Sequence, residues 1–328
     1  MHVVVFGATG AIGRQAVPAL LAAGHEVTAV ARSTRRQSEL MGTGARIVLG
    51  DLLEPDVVAG ILDRNRPDAV VHIATALPDP IDPKHPDRDF AETNRLRSEG
   101  TRVLVEQIRR IGRPIRLVTA SVAFLYEPGQ GLADEKTPLW SAPPKRFQVN
   151  LDALAEQERL TKEAGGVSLR FGHIYGPGTS FDRNGSFVDN VKNRRMPLVG
   201  GGNSVFSFVH TTDAAAAIVA AVSTPGIEGS AFNIVDDKPT PVHEWVPWLA
   251  NRLGARPPQK VPAGIAKLAA GAWGVAFLNH LRGATNASAR AKLGWQPRYA
   301  SWYDGMEHEL SEKPTDEAGP SPLNTGTG

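Results

Sequence analysis

Residues 3–13, VVVFGATGAIG, constrain the fold more than any other stretch of this chain. A short apolar run stops at three glycines spaced three apart, Gly7, Gly10 and Gly13, and a helical pattern follows. A strand that turns on glycine into a helix aims unpaired backbone N–H groups and the positive end of the helix dipole at one point, where a pyrophosphate can sit. In that geometry Gly7 makes the tight turn, Gly10 lets the backbone approach the phosphates, and Gly13 lets helix and strand pack closely. A dinucleotide is the expected ligand. The same turn also serves as a plain strand-to-helix connection in other α/β proteins, so the rest of the chain has to decide.

Short β-branched runs recur at 3–6, 26–31, 46–49, 69–73, 115–119 and 167–171, with helical patterns at 11–23, 55–64, 91–111 and 151–164 between them. Strands alternating with helices predict an α/β fold, a Rossmann-type doubly wound parallel sheet covered on both faces. Pro18 removes a hydrogen bond inside the first helix and predicts a kink there. After residue 172 the pattern turns to Gly/Pro-rich loops, with helices expected at 212–223, 242–253 and 287–293 and a strand near 231–235. The expected organisation is a dinucleotide-binding domain over 1–172, to which later segments return, a smaller substrate lobe over 173–310, and a disordered polar tail over 311–328.

The chain of 328 residues carries 36 Lys plus Arg against 34 Asp plus Glu, a net charge of +2, which gives no electrostatic case for nucleic acid or an anionic membrane. A small-molecule substrate is the expected partner. There is no cysteine, so disulfides, thiolate nucleophiles and cysteine metal sites are excluded, and no metal is expected. The first apolar run is too short for a signal peptide, and the later one at 261–281 is broken by Lys267 and glycines. A cytoplasmic location is expected.

The second strand ends in Ala31, Arg32 and Ser33, with Arg35 and Arg36 behind, where an NAD site places an acidic residue on the ribose. Guanidinium and hydroxyl groups suit a 2′-phosphate, so NADP is preferred to NAD. Asp51 and Leu52 follow the third strand, where a carboxylate can accept from the adenine amino group or cap the next helix.

With these pieces in order, the chain resembles the extended short-chain dehydrogenase/reductase family, which includes NAD-dependent epimerases, dehydratases and related reductases. The resemblance spans about residues 1–305 and rests on GATGAIG (7–13), GDLLEP (50–55), HIATA (72–76), ETNRLRSEGTRVLVE (92–106), VTASVAFLY (118–126), LRFGHIYGPG (169–178), FSFVHTTDAAAA (206–217), FNI (232–234) and AKLGWQP (291–297). It implies that Ala74 lines the cofactor crevice and that Asn94 supports it. It also implies cofactor contacts at Thr9, Ala11, Ile12, Thr75 and Thr119, and a catalytic hydroxyl at Ser121. A homodimer through the helices at 91–111 and 151–164 is a further implication.

The family's proton donor is a tyrosine four residues before a lysine, one helical turn apart, so that the ammonium lowers the phenol pKa. Aligning on Ala155 and Glu156 puts Gln148 at the tyrosine and Asp152 at the lysine, and none of the four tyrosines has a lysine four residues on. Candidate replacements are Ser121, Tyr126 and His173, the last at a position where sugar-nucleotide members carry a substrate-binding asparagine. Each also has a structural reading, as a packing or hydrogen-bonding residue. Phe206 takes the place of an arginine that contacts diphosphate in sugar-nucleotide members, so an apolar or aromatic carbonyl or hydroxyl substrate is expected in that pocket. His210 and Asp213 read as scaffold, with Asp213 capping a helix. Trp140, Trp245, Trp248 and Trp273 read as core or cleft wall, and the proline-rich loop 77–90 as a lid or a surface loop. Three functions follow in order: an atypical NADP-dependent oxidoreductase, a non-redox cyclase, isomerase or dehydratase on the same fold, and a non-catalytic NADP-binding sensor.

Overall fold

The computed structural model describes residues 1–311, and the tail beyond Ser311 lies outside the described residues. The first half alternates strand and helix: β1 (His2–Phe6), α1 (Ala11–Ala22), β2 (Glu26–Ala31), α2 (Thr34–Ser38), β3 (Arg46–Leu49), α3 (Pro55–Asn65), β4 (Ala69–His72), α4 (Pro86–Asp89), α5 (Ala91–Arg95), α6 (Thr101–Ile111), β5 (Arg116–Val122), α7 (Gln148–Glu163) and β6 (Val167–Phe171). There follow β7 (His173–Tyr175), α8 (Ser186–Lys192), β8 (Leu198–Val199), β9 (Val205–Phe206), β10 (Phe208–His210), α9 (Thr211–Ser223) and β11 (Ala231–Ile234). The chain then runs through α10 (Val242–Arg252) and α11 (Ala263–Asn279) to a last helix, Trp302–Ser311.

Seven strands form one sheet in the order β11-β6-β5-β4-β1-β2-β3. Every pairing in it is parallel. The order reverses beside β1, which places the glycine turn at the switch point on the carboxyl edge of the sheet, where ligands of such folds bind. β1 and β4 are buried on both faces because helices cover both, which explains their unbroken apolar sequences. α9 lies along α1, and its alanines allow that close approach.

α1 runs through Pro18, in keeping with the helix expected over 11–23. Two elements depart from the expected pattern. The region 91–111 is not one helix but α5, a wide π-helical turn at Leu96–Gly100, and α6. α11 bends at Gly271, where φ is +70° and an added Cβ would meet the Lys84 Cα at 3.1 Å. Among the described residues no helix is long and apolar enough to cross a membrane.

Candidate active site

The glycine turn is held by close approaches that only glycine permits. Gly7 has φ +92°, and a Cβ there would lie 2.5 Å from the Ala74 nitrogen. A Cβ on Gly13 would lie 2.2 Å from the Gly7 carbonyl oxygen, so helix and strand touch at that point. Gly10 differs. Its only near neighbour is the Gly7 oxygen at 3.4 Å, and it caps α1 without any side-chain hydrogen bond, leaving the first amides of the helix free for an anion. Thr9, Ala11 and Ile12 flank it half-buried, and the loop after β7 returns here, with Gly178 beside Ala11. These residues fit a dinucleotide's pyrophosphate.

The remaining cofactor candidates have mixed placements. Arg32 forms an ion pair with Glu92 at the start of α5, and Arg36 lies 3.6 Å from Glu39. Ser33 caps α2 by accepting from the Arg36 amide at 3.3 Å. Asp51 accepts from the Leu53 amide at 2.9 Å, which shapes its own turn, and the Leu52 side chain is buried against Gly100. Ala74 abuts Gly7, and Thr75 is exposed beside it. Asn94 donates to Asn150 at 2.6 Å, tying α5 to α7. Thr119 is fully buried and bonded to Thr161 at 3.1 Å, so its hydroxyl belongs to the packing of α7 on the sheet.

Two of the three candidate catalytic groups, Ser121 and Tyr126, meet in one hydrogen-bond network, and His173 bonds elsewhere. Ser121 pairs in register with Arg170 on β6, and its hydroxyl donates to Glu158. Arg170 grips the same carboxylate at 2.8 and 2.6 Å and donates to the Tyr126 hydroxyl at 3.0 Å. Tyr126 in turn donates to Asn233, and burial pushes its pKa up to about 12. Ser121 and Tyr126 are therefore members of a buried charge network, not free hydroxyls; the sequence offered a signal for it in the lone arginine of the strand VSLRF. Arg97, on the π-helical turn, is buried near Glu158, and burial lowers its pKa to about 10. Gln148 donates to Asp152 at 2.8 Å on an outward stripe of α7, with Asp152 exposed.

His173 sits instead among rings. It stacks on Phe206 at 3.7 Å and on Phe124 at 4.3 Å, with Phe181 and Phe277 edge-on. Its Nδ1 lies 3.2 Å from the Ser207 carbonyl oxygen, and its Nε2 is buried with no partner. Phe206 is fully buried in this cluster, so it is a core residue rather than the exposed pocket residue expected from the sequence. Trp245 is core as well, and Trp273 stacks on Phe147 at 3.4 Å, just before Gln148. Loop 77–90 is tied down at two points: Ser186 donates to Asp79, and Arg146 donates to the Lys84 carbonyl at 3.1 Å. The cap of α9 is His210, not Asp213, whose carboxylate accepts from the Arg298 amide at 2.7 Å.

Burial pulls the His173 imidazole down to about 3 and that of His72 to about 4, from an ordinary 6.5. Burial thus keeps His173 neutral near pH 7, with its remaining ring proton held toward the Ser207 carbonyl. A histidine depressed in the fold takes up its proton first in the unfolded chain, so its contribution to stability is complete above pH 6.5 and is lost as pH falls toward 3. Asp236, raised by burial to about 7, acts in the opposite direction over an overlapping range. The difference between wild type and His173→Phe isolates the histidine: below pH 6.5 the wild type should lose about 1.4 kcal/mol per pH unit relative to the variant. Urea denaturation checks this, and a flat difference down to pH 4 would mean that the imidazole is solvated.

The chain is 41% identical to a 3-diazoavenalumate denitrifying reductase from Streptomyces sp, over 94% of this chain and 100% of that one. It is 27% identical to a 2-alkyl-3-oxoalkanoate reductase from Shewanella oneidensis, over 81% of this chain and 70% of that one. A dTDP-glucose 4,6-dehydratase from Bacillus anthracis, solved in complex with NAD, shares the fold at a TM-score of 0.72 and 19% identity, covering 94% of this chain and 95% of its own. The model of the NAD dependent epimerase/dehydratase family matches residues 3–234. On that match and on the sheet order and glycine turn described above, the chain belongs to the NAD-dependent epimerase/dehydratase family.

Proposed function

We propose that this protein is a nicotinamide-dependent reductase that passes hydride to an aromatic electrophile without the tyrosine acid of its relatives. The observation that carries this reading is a glycine cradle for a dinucleotide at the same sheet edge as a lobe whose candidate proton donors are all committed elsewhere. Ser121 gives its proton to Glu158 and Tyr126 to Asn233, and the neutral His173 holds its one ring proton toward the Ser207 carbonyl. Gln148 and Asp152 bond to each other. A reaction that consumes no proton fits such a site.

The 41% identical relative is named for removing nitrogen from a diazo compound by reduction, and we carry that substrate class over to this chain. When bound, the reduced nicotinamide supplies a hydride, so an aryl diazonium gives the arene and N2, the hydride's electron pair forming the new C–H bond and the C–N pair leaving with nitrogen. No acid is needed in that balance, which accounts for the absence of the tyrosine and lysine. The chain's own residues bind and orient. Gly7, Gly10 and Gly13 with the first amides of α1 hold the pyrophosphate, Asp51 meets the adenine, and loop 77–90 keeps water from the ring-lined lobe.

We assign NADP over NAD to Arg32, Ser33 and Arg36. The Arg32–Glu92 ion pair means that a 2′-phosphate competes with a carboxylate for the guanidinium. Arg32→Ala is expected to weaken NADPH roughly tenfold or more and NADH little, followed by nicotinamide fluorescence. Equal loss for both nucleotides would place Arg32 elsewhere. Turnover is tested with benzenediazonium, reading NADPH absorbance against benzene and N2 formed. One NADPH oxidised per N2 supports the reading; N2 without NADPH oxidation, or neither, sinks it.

A further inference from the structure

We propose that a cleft beside α7 binds a small multivalent oxyanion, the chemistry of a phosphorylated or polycarboxylated metabolite, at a site separate from the dinucleotide crevice. The cleft has a volume of about 670 Å³, the size of a small-molecule site. It exists because β11 is the edge strand of the sheet. Ser168 and Ala231, which pair across β6 and β11, are too small to fill the space between α7 and the loops 134–139 and 285–292. The cleft also lies apart from the glycine turn. β5 and β4 separate β6 from β1, and Ser168 and Ala231 sit at the starts of their strands, opposite the carboxyl edge that holds the turn.

The charges of the lining select the ligand. Three carboxylates line the cleft, and each is committed. Asp134 accepts from the amides of Lys136 and Thr137 at 3.1 and 3.0 Å, Glu135 from the Asn233 amide at 2.8 Å, and Glu158 from Arg170 and Ser121. Arg159 is held in turn by Glu156 and Glu163. Lys136, Lys162 and Lys292 line the same cleft, and among the described residues none of the three ammonium groups is bonded to a carboxylate. The unused capacity of the lining is therefore cationic. Its floor is built before a ligand arrives, because Arg170, with a side chain only 9% exposed, is fixed by Glu158, Tyr126 and the Glu135 carbonyl. Four of its five N–H groups are used there, which leaves one donor on Nη2. One carboxylate neutralises one ammonium. Three ammonium groups around a single cleft ask for several charges on one ligand, and phosphate oxygens suit such point charges well.

The site is independent of the reductase reading, so its test needs no turnover. The full chain is titrated by calorimetry with inorganic pyrophosphate and with citrate at constant ionic strength, and with acetate as a singly charged control. Pyrophosphate or citrate should bind about tenfold more tightly than acetate or better, and the tighter of the two assigns the ligand to phosphate or to carboxylate chemistry. The double variant Lys162→Ala/Lys292→Ala should lose roughly tenfold or more of that affinity while NADPH affinity stays unchanged. Both lysines are exposed, so the variant keeps the fold. Gly10→Ala, which alters the turn that faces the dinucleotide's phosphates, should bind the anion as wild type does. No preference over acetate, a preference that survives in the lysine variant, or its loss in Gly10→Ala overturns the proposal. A parallel loss of NADPH affinity in the lysine variant also overturns it, since the lysines would then serve the dinucleotide. Anion binding in the cleft without any NADPH oxidation would reject the reductase reading and leave this site standing.

Discussion

Gly7→Ala is expected to abolish dinucleotide binding and to destabilise the fold by roughly 3 kcal/mol, the sum of left-handed backbone strain and overpacking. The new methyl would lie 2.5 Å from the Ala74 nitrogen and 2.6 Å from the Ile73 carbonyl carbon, both backbone atoms that cannot rotate away. Relief requires β1 and the end of β4 to separate, and that separation opens the crevice itself. Gly10→Ala supplies the contrast. Its φ of −75° suits alanine, and the nearest atom would be 3.4 Å away, so urea denaturation should be nearly unchanged. A methyl there instead faces the phosphates, and affinity for NADPH should fall by roughly tenfold or more. If Gly10→Ala binds as wild type does, the turn is architecture only. If Gly7→Ala folds normally, the close approach to Ala74 is not what holds the turn.

The sheet was legible because its signal is local. β1 and β4 read as apolar runs between turns, and buried parallel strands need nothing more to be seen. The site was legible only where it too was local, in the seven residues of the glycine turn. The network around Ser121 depends on β5–β6 register, which sets Ser121 against Arg170, and on a glutamate a helix away. No spacing within one segment reports that. The ring cluster draws Phe124, His173, Phe206 and Phe277 from four separate stretches, each looking like ordinary core on its own. The capping of α9 shows the same limit at smaller scale. Local preference favours Asp213, but the amides of Arg298 and Tyr299, distant in sequence, claim its carboxylate and leave the cap to His210. The π-helical turn was invisible for another reason: the apolar period of 91–111 continues across it, although the wide turn lets the Leu96 carbonyl lie 3.1 Å from His72 Nε2.

Glu158→Gln is expected to cost about 3–5 kcal/mol of stability, more than Arg170→Met, although both break the same ion pair. The pair is well buried, with side-chain exposures of 9% for Arg170 and 14% for Glu158. Removing the carboxylate leaves two guanidiniums without a countercharge, because Arg97 is buried beside it as well and draws on the same glutamate. Removing Arg170 leaves Glu158 with Arg97 as a nearby cation and with the Ser121 hydroxyl as a donor, so the smaller loss follows. Urea denaturation of the two variants checks the order, and a larger loss for Arg170→Met would mean that Arg97 does not screen the carboxylate. The same variants separate scaffold from chemistry. Held below their unfolding transitions, both should keep wild-type NADPH affinity and reduce substrate at near wild-type kcat, because Ser121 and Tyr126 serve the network rather than the reacting atoms. A collapse of kcat with the fold intact would instead return Ser121 to the catalytic machinery, with Glu158 as the group that positions its proton.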